Sequence, residues 1–173
     1  MIKLEPLTGR HDRNTFDCGI EPLNVWLKQT AMQHQNRGIS RTVVTVPQDR
    51  DAVETYSTGG YPVSGITDIL GFYALASALV LLDELPQRLA KRFPRQIPVT
   101  RLGRLAVRSD VQGQGLGKLL LIDAINKARN AALVVGSAGI MVDAKDDAAA
   151  CFYQTYGFIP CGLQPRMLFM PLW

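Results

Sequence analysis

The stretch Arg101-Leu-Gly-Arg-Leu-Ala-Val107, followed closely by Val111-Gln-Gly-Gln-Gly-Leu-Gly-Lys118, decides the fold. Its first part is apolar with β-branched and small residues, which predicts a strand. Apolar residues then recur at the helical period from Leu116 to Ala131, which predicts a helix ending near Ala132. A strand that enters a helix through a glycine-rich turn leaves backbone N–H groups unpaired at the positive end of the helix dipole. The sequence therefore predicts an anion site at this turn.

Two familiar phosphate motifs do not fit the turn. A Walker A loop requires a glycine where Gln112 stands and a hydroxyl residue where Leu119 stands. A dinucleotide-binding fingerprint requires a third glycine where Lys118 stands. The pattern that fits is Q-x-x-G-x-G, formed by Gln112, Gly115 and Gly117. The alternative is a helix that begins at a glycine turn and binds no ligand.

Composition describes one soluble globular domain over residues 1–173, with 47% hydrophobic and 20% charged residues. The net charge of +4 permits a phosphate-rich partner without requiring one. The longest apolar run, Ile69 to Leu82, is shorter than the roughly 20 residues of a membrane span, and no signal peptide is evident. We therefore expect a cytoplasmic protein with no membrane contact. The cysteines and histidines lack metal-ligand spacing, so no metal site is predicted.

Strands and helices alternate along the chain, which predicts an α/β fold. Strands are expected at residues 2–7, 42–46, 69–82, 101–107, 139–142, 158–161 and 166–172. Helices are expected at 21–35, 85–93, 119–132 and 146–156. The polar, glycine-interrupted segment 48–68 is expected to be a long, mobile hairpin connection.

Motifs spread over nearly the whole chain resemble one branch of the GNAT acyl-CoA N-acetyltransferases, and the glycine turn resembles their pyrophosphate loop. Near the start these are Phe16-Asp17-x-Gly19 and Arg41-Thr42-x-Val44; later come Arg104-Leu105-Ala106-Val107 and Phe152-Tyr153-x-x-x-Gly157-Phe158. This branch contains the acetyltransferase toxins of bacterial type II toxin–antitoxin pairs. The resemblance implies a GNAT fold, a central mixed β-sheet with one splayed strand, flanked by helices. Segment 48–68 departs from the shorter members and resembles an insertion.

The same resemblance implies the activity and the partners. Members of the branch acetylate the free amino group of an aminoacyl-tRNA with acetyl-CoA, which blocks translation. The resemblance also implies three partners: a ribbon-helix-helix antitoxin, promoter DNA that is bound only through the antitoxin complex, and a second copy of the chain in a homodimer. Two alternatives stay open: a GNAT enzyme that acts on a small amine or a protein, and a regulatory module that binds CoA or nucleic acid.

Acetyl transfer from a thioester to an amine has two requirements. The carbonyl oxygen must be stabilised as it becomes an oxyanion, and the departing thiolate must receive a proton. The candidate groups for binding acetyl-CoA lie at the end of the splayed strand and in the glycine turn: Leu105, Ala106, Val107, Gln112, Gly113, Gln114, Gly115, Leu116, Gly117 and Lys118. Plain core packing is the other interpretation of Leu105 and Val107.

Tyr153 matches the family position of the general acid, and Tyr156 is its rival; either tyrosine could instead be a packed aromatic residue. No carboxylate stands out as a general base. An α-amino group titrates near ~8, against ~10.4 for lysine, so water can accept its proton.

A tRNA substrate requires a basic surface beside the acetyl group, since phosphate contacts dominate its affinity. The candidate residues are Arg37, Arg41, Lys91, Arg92 and Arg95. A solvated charged face is the other interpretation of the cluster at 88–95.

Overall fold

The computed structural model describes residues 1–162 and 164–172, with residue 165 described by its backbone alone. Strands and helices alternate, as the sequence predicts. Short 3₁₀ turns cover Leu82–Glu84 and Ser109–Val111. The elements are β1 (Ile2–Pro6), α1 (Glu21–Gln29), α2 (Ala31–Asn36), β2 (Arg41–Pro47), α3 (Arg50–Thr58), β3 (Gly71–Leu81), α4 (Gln87–Ala90), β4 (Gln96–Val107), α5 (Leu116–Ala132), β5 (Gly139–Asp143), α6 (Asp147–Thr155), β6 (Ile159–Cys161) and β7 (Gln164–Pro171).

The chain divides into two compact units, of which the first comprises residues 1–75 and 104–123. In this unit β1 pairs with β2 and β2 with β3, both antiparallel, with Leu4 opposite Thr45 and Val43 opposite Tyr73. Helix α1 contributes Trp26 and Leu27 to a buried apolar cluster. Strand β2 is buried along almost its whole length, which matches its continuous run of β-branched residues.

The second unit comprises residues 76–103 and 124–173. Strand β5 pairs with β7 and β6 with β7, both antiparallel. Strands β4 and β5 pair parallel, from Thr100 opposite Ile140 to Leu102 opposite Val142. The core of this unit is formed by Val80, Leu85, Ile97, Val99, Met141, Cys161 and Phe169. The prediction of a single domain over residues 1–173 stays a prediction.

The seven strands form one mixed sheet in the order β1-β2-β3-β4-β5-β7-β6, which confirms the predicted fold class. The parallel register of β4 with β5 ends at Leu102, whereas β4 itself continues to Val107. Strand β5 itself ends at Asp143, so its pairing covers only residues 100–102 of β4.

The expectation for segment 48–68 is wrong, because the segment contains helix α3. The carboxylate of Asp49 accepts a hydrogen bond from the Ala52 N–H at 2.8 Å and thereby caps the helix start. Ala52 and Tyr56, four residues apart, place one buried face on an otherwise polar helix. Two apolar positions are too weak a periodic signal to be separated from a polar loop.

Two further helix predictions need correction. The predicted helix at 21–35 is divided at Thr30 into α1 and α2. The predicted helix at 85–93 is reduced to the four residues of α4, after the 3₁₀ turn Leu82–Glu84. Helix α6, in contrast, begins where the sequence predicts, because the Asp146 carboxylate accepts from the Ala149 N–H at 2.8 Å.

We predict that Gly139→Ala destabilises the second unit. A Cβ at this position would lie 2.4 Å from both the Met170 carbonyl oxygen and the Phe169 ring, so the core must shift. Overpacking of this kind costs about 1–3 kcal/mol or more. The measurement is urea denaturation, with Gly136→Ala as the control because its Cβ meets no atom within 4 Å. Equal stability of the two variants would contradict the packing.

Candidate active site

The connection between β4 and α5 has an open backbone turn at the predicted anion site. Gly113 and Gly115 adopt φ values of +79° and +84°, which side-chain-bearing residues rarely take. A Cβ built on either glycine meets no heavy atom within 4 Å. The space beside both glycines is therefore available to a ligand that approaches the backbone closely.

The backbone N–H groups of this turn are donors without internal partners. In the described part of the chain, the N–H groups of residues 112–118 make no hydrogen bond; the N–H of Leu119 is the first to donate, to the Gly115 carbonyl at 3.1 Å. Unpaired N–H groups at a helix start carry partial positive charge and bind anions. The turn fits the diphosphate of a nucleotide-type ligand.

Hydrogen bonds from outside the turn hold its base in place. The Gln112 side-chain amide donates to the Val107 carbonyl at 3.0 Å and to the Cys18 carbonyl at 3.4 Å. The Ser109 N–H donates to the Asp17 carbonyl at 2.9 Å. Hydrogen bonding from the Gly19 N–H and from Asn24 lowers the pKa of the Asp17 carboxyl. The Phe16–Gly19 turn thus supports the glycine turn, and the side chain of Gln112 is used to position the loop.

Arg108 is a buried residue beside the glycine turn for which the sequence analysis predicts no role. Its side chain is buried, and its Nε donates to the Asp110 carboxylate at 2.7 Å. Its backbone N–H donates to the Leu70 carbonyl at 2.8 Å. The spacing of Arg108 and Asp110 was the available signal, but two opposite charges two residues apart in a loop usually form an exposed pair, whereas here Arg108 is buried.

Tyr61 of segment 48–68 contacts the glycine turn directly. The Gln114 side-chain amide donates to the Tyr61 hydroxyl at 2.5 Å. Tyr61 packs edge-on against Tyr56 of α3, with ring centroids 5.8 Å apart. The buried residues of this region include Val111 and Leu116, which flank the turn. The segment predicted to be a mobile connection is therefore packed against the predicted anion site.

Helix α5 is tied to β3 by a second missed contact. The hydroxyl of Tyr73, which is fully buried, donates to the Asp123 carboxylate. Burial and this hydrogen bond raise the pKa of the Tyr73 hydroxyl far above its ordinary value. The start of α5 is consequently fixed against the strand layer of its own unit.

Tyr153 belongs to the second unit, in α6. Its ring packs against Phe158, with centroids 5.5 Å apart. Burial raises the pKa of the Tyr153 hydroxyl to about 12, and no hydrogen bond contributes to that shift. The side chain is thus a protonated phenol at any physiological pH. Its rival Tyr156 ends the same helix and is only half-buried.

The structure divides the predicted substrate residues between the units. Arg37 and Arg41 belong to the first unit, with all the predicted acetyl-CoA residues, and Lys91, Arg92 and Arg95 to the second. All five side chains are exposed, and none forms an ion pair with any described residue.

Among the described residues, no group of three or more His, Cys, Asp or Glu side chains could hold a metal ion. None of the described helices is long and apolar enough to cross a membrane.

Comparisons with known proteins show the family of the chain. The pattern that defines the acetyltransferase (GNAT) domain matches residues 90–167, which contain the glycine turn and Tyr153. The chain is 35% identical to the "tRNA-acetylating toxin" of Mycobacterium tuberculosis (strain ATCC 25618 / H37Rv), over 88% of this chain and 81% of that protein. The chain belongs to the GNAT family of acetyltransferase toxins. It is an acetyl-CoA-dependent acetyltransferase, like the other enzymes of this family.

Solved structures of the same family are similar over at least 98% of this chain. AtaT complexed with acetyl-methionyl-tRNAfMet has a TM-score of 0.83 and 31% identity, over 95% of that chain. AtaTR bound with AcCoA has a TM-score of 0.78 and 31% identity, over 94% of that chain. A tyrosine-to-phenylalanine mutant of AtaT bound to the C-terminus of the antitoxin AtaR has a TM-score of 0.76 and 29% identity, over 93%. A further match is the AtaT–AtaR complex bound to DNA.

We predict that Gly115→Ala weakens acetyl-CoA binding, because the new methyl group fills the space beside the unpaired N–H groups. Gly38→Ala is the matched control: Gly38 also has a positive φ, of +73°, and also meets no atom within 4 Å. Both variants therefore carry similar backbone strain. Calorimetry should show at least about tenfold weaker binding, about 1.4 kcal/mol, for Gly115→Ala alone. Equal affinities of the two variants would place the diphosphate elsewhere.

Proposed function

We propose that this protein is a toxin that transfers the acetyl group of acetyl-CoA to the free amino group of an aminoacyl-tRNA and so blocks translation. The single observation that carries the proposal is the similarity to a tRNA-acetylating toxin over most of both chains. The structure of AtaT with acetyl-methionyl-tRNAfMet supports the same substrate class, since the acetyl group is on a charged tRNA. An acetylated α-amino group cannot form a new peptide bond, because its lone pair is delocalised into the amide.

Acetyl-CoA binding is assigned to residues of the first unit. The N–H groups of Gln112, Gly113, Gln114, Gly115, Leu116, Gly117 and Lys118 would bind the diphosphate, with added positive charge from the exposed Lys118 side chain. The backbone of Leu105, Ala106 and Val107 would hold the thioester, because the register with β5 ends before these residues. A backbone N–H directed at the thioester oxygen stabilises the oxyanion that forms during transfer.

The acceptor amine needs little help to lose its proton. An α-amino group has a pKa near ~8, so a useful fraction is neutral at cellular pH and water can accept the remaining proton. The amine attacks the thioester carbon, the C–S bond breaks, and the sulfur leaves as a thiolate. Tyr153, which is protonated at cellular pH, donates a hydrogen bond and then its phenolic proton to that thiolate, and water returns a proton to the phenolate. Burial raises the pKa of the Tyr153 hydroxyl and makes it a weaker acid, so the transfer depends on the thiolate being held beside it.

The partners follow from the same similarity. The antitoxin AtaR in complexes with AtaT supports an antitoxin for this chain, which we propose to be a ribbon-helix-helix protein. The AtaT–AtaR complex bound to DNA supports contact with promoter DNA through the antitoxin. We further propose that the active form is a homodimer.

The function is tested by incubating the protein with acetyl-CoA and total charged tRNA, followed by nuclease digestion and mass analysis of the aminoacyl-adenosines. We expect N-acetylated forms of one or a few amino acids. Acetylation of polyamines or proteins in place of any aminoacyl-adenosine would contradict the proposed substrate.

We predict that Tyr153→Phe lowers kcat by at least about 100-fold, the lower end of what a general acid contributes. The ring keeps its packing against Phe158, so the fold and acetyl-CoA binding should be unchanged. Tyr156→Phe is the matched control on the same helix and should behave like the parent. Initial rates of acetylation decide the matter. If neither variant loses rate with acetyl-CoA still bound, the thiolate takes its proton from water.

We predict that the basic residues 88–95 act through tRNA phosphates. Lys91→Glu with Arg92→Glu should weaken tRNA binding and reduce the slope of log affinity against log salt by about 0.7–0.9 for each lost contact. The matched control is Arg50→Glu with Arg129→Glu, which makes the same change of net charge at two other exposed positions. Filter binding at several salt concentrations measures the slope. An unchanged slope would show that these basic residues do not contact tRNA phosphates and form only a solvated charged face.

A further inference from the structure

Arg104 holds its guanidinium group against the aromatic part of the core in the first unit. The central guanidinium carbon lies 4.5 Å from the centroid of the Trp26 ring. Trp26 in turn lies nearly parallel to the buried Phe72, with centroids 6.0 Å apart and 10° between the planes. A cation over an indole face is attracted to the ring quadrupole. The side chain therefore has a fixed position on a rigid platform.

This guanidinium has no anionic partner within the chain. Among the described residues, no carboxylate forms an ion pair with Arg104 and no side-chain hydrogen bond reaches it. The residue is partly buried, and burial lowers the pKa of its guanidinium, although not enough to discharge it. Stacking uses the face of the group and leaves the N–H donors along its edge available. A partly desolvated cation with free donors in a fixed place is suited to bind an anionic ligand.

The position of Arg104 along β4 indicates which ligand this is. Its Cα lies one residue, about 3.8 Å, from that of Leu105, where the proposed binding of the thioester begins. The acceptor amine must come to that thioester, so the groups that follow the amine come within reach of a long arginine side chain. In an aminoacyl-tRNA, the first negative charge after the amine is the phosphodiester on the 5′ side of the terminal adenosine. A planar guanidinium can donate two parallel hydrogen bonds to such a phosphate.

We propose that Arg104 binds the phosphodiester on the 5′ side of the terminal adenosine and thereby selects a charged tRNA end over a free amino acid or a simple amine. The inference rests on the proposed function and names the group of the substrate that is recognised. Arg104 is then a specificity-determining residue, and its stacking on the Trp26 ring positions it. It differs from the exposed basic residues because its position is fixed by stacking before the substrate arrives.

The test compares two small substrates that differ by one phosphodiester. One is the aminoacyl ester of adenosine, and the other is the aminoacyl ester of cytidylyl-adenosine, both carrying the amino acid identified with total charged tRNA. For the parent protein we expect kcat/KM to favour the dinucleotide ester. In Arg104→Gln this preference should fall by about tenfold to a hundredfold, as loss of a hydrogen bond to a charged group of roughly 1.5–3 kcal/mol implies. Arg104→Lys keeps the positive charge but loses the planar pair of N–H donors, so its preference for the dinucleotide ester should lie between that of the parent and that of Arg104→Gln.

The ratio of the two substrates separates recognition from a merely structural role. A loss of packing between Arg104 and Trp26 would lower the rates on both esters together and leave their ratio unchanged, and that result would overturn the inference. A parent protein that shows no preference between the esters would also overturn it, with the proposed function intact. If the parent acetylates neither ester and no charged tRNA, the proposed function itself fails, and the inference fails with it.

Discussion

The start of α5 is subject to two opposing requirements, and the rest of the first unit depends on how they are met. The backbone N–H groups of residues 112–118 must stay unpaired so that they can bind an anion, yet the turn that carries them must be rigid. Rigidity comes from contacts behind the turn: the Gln112 side chain on the Val107 carbonyl, the buried Arg108 side chain on the exposed Asp110, and Tyr73 on Asp123 further along α5. Each contact holds the base of the loop and leaves its donors free. Preorganised donors of this kind lose little entropy when the ligand binds.

The chemistry that this family performs explains why the chain carries so few obvious catalytic groups. A substrate whose amine is partly neutral at cellular pH removes the need for a buried carboxylate as base. What remains is to donate a proton to the thiolate, which we propose Tyr153 does; burial raises the pKa of its hydroxyl to about 12, so the phenol is protonated at cellular pH. Discrimination among amines must then come from binding, and we propose that Arg104 and the exposed basic residues provide it. In this proposal, specificity and chemistry are carried by different side chains.

The sequence predicted the parts of the fold whose signal is local. The glycine turn and helix α5 could be predicted because glycine and a helical repeat act over a few residues. The start of α6 could be predicted at Asp146 for the same reason. Helix α3 was missed because only Ala52 and Tyr56 face inward on a polar segment. The contacts of Arg108 with Leu70 and of Tyr61 with Gln114 were also missed, since they join residues far apart in the chain and no local pattern encodes them. The same limit applies to Arg104, whose significance lies in Trp26, a residue of another element.

The central claim is that the unpaired N–H groups at the start of α5 bind the diphosphate of acetyl-CoA, and amide NMR tests it most directly. In a titration of the ¹⁵N-labelled protein with acetyl-CoA, the account predicts that the largest shifts fall on the amides of residues 112–118. Titration with S-acetylpantetheine, which has the thioester but no phosphate, should leave the chemical shifts of those amides unchanged. Amides of residues 112–118 that do not respond to acetyl-CoA, while others do, would contradict the account.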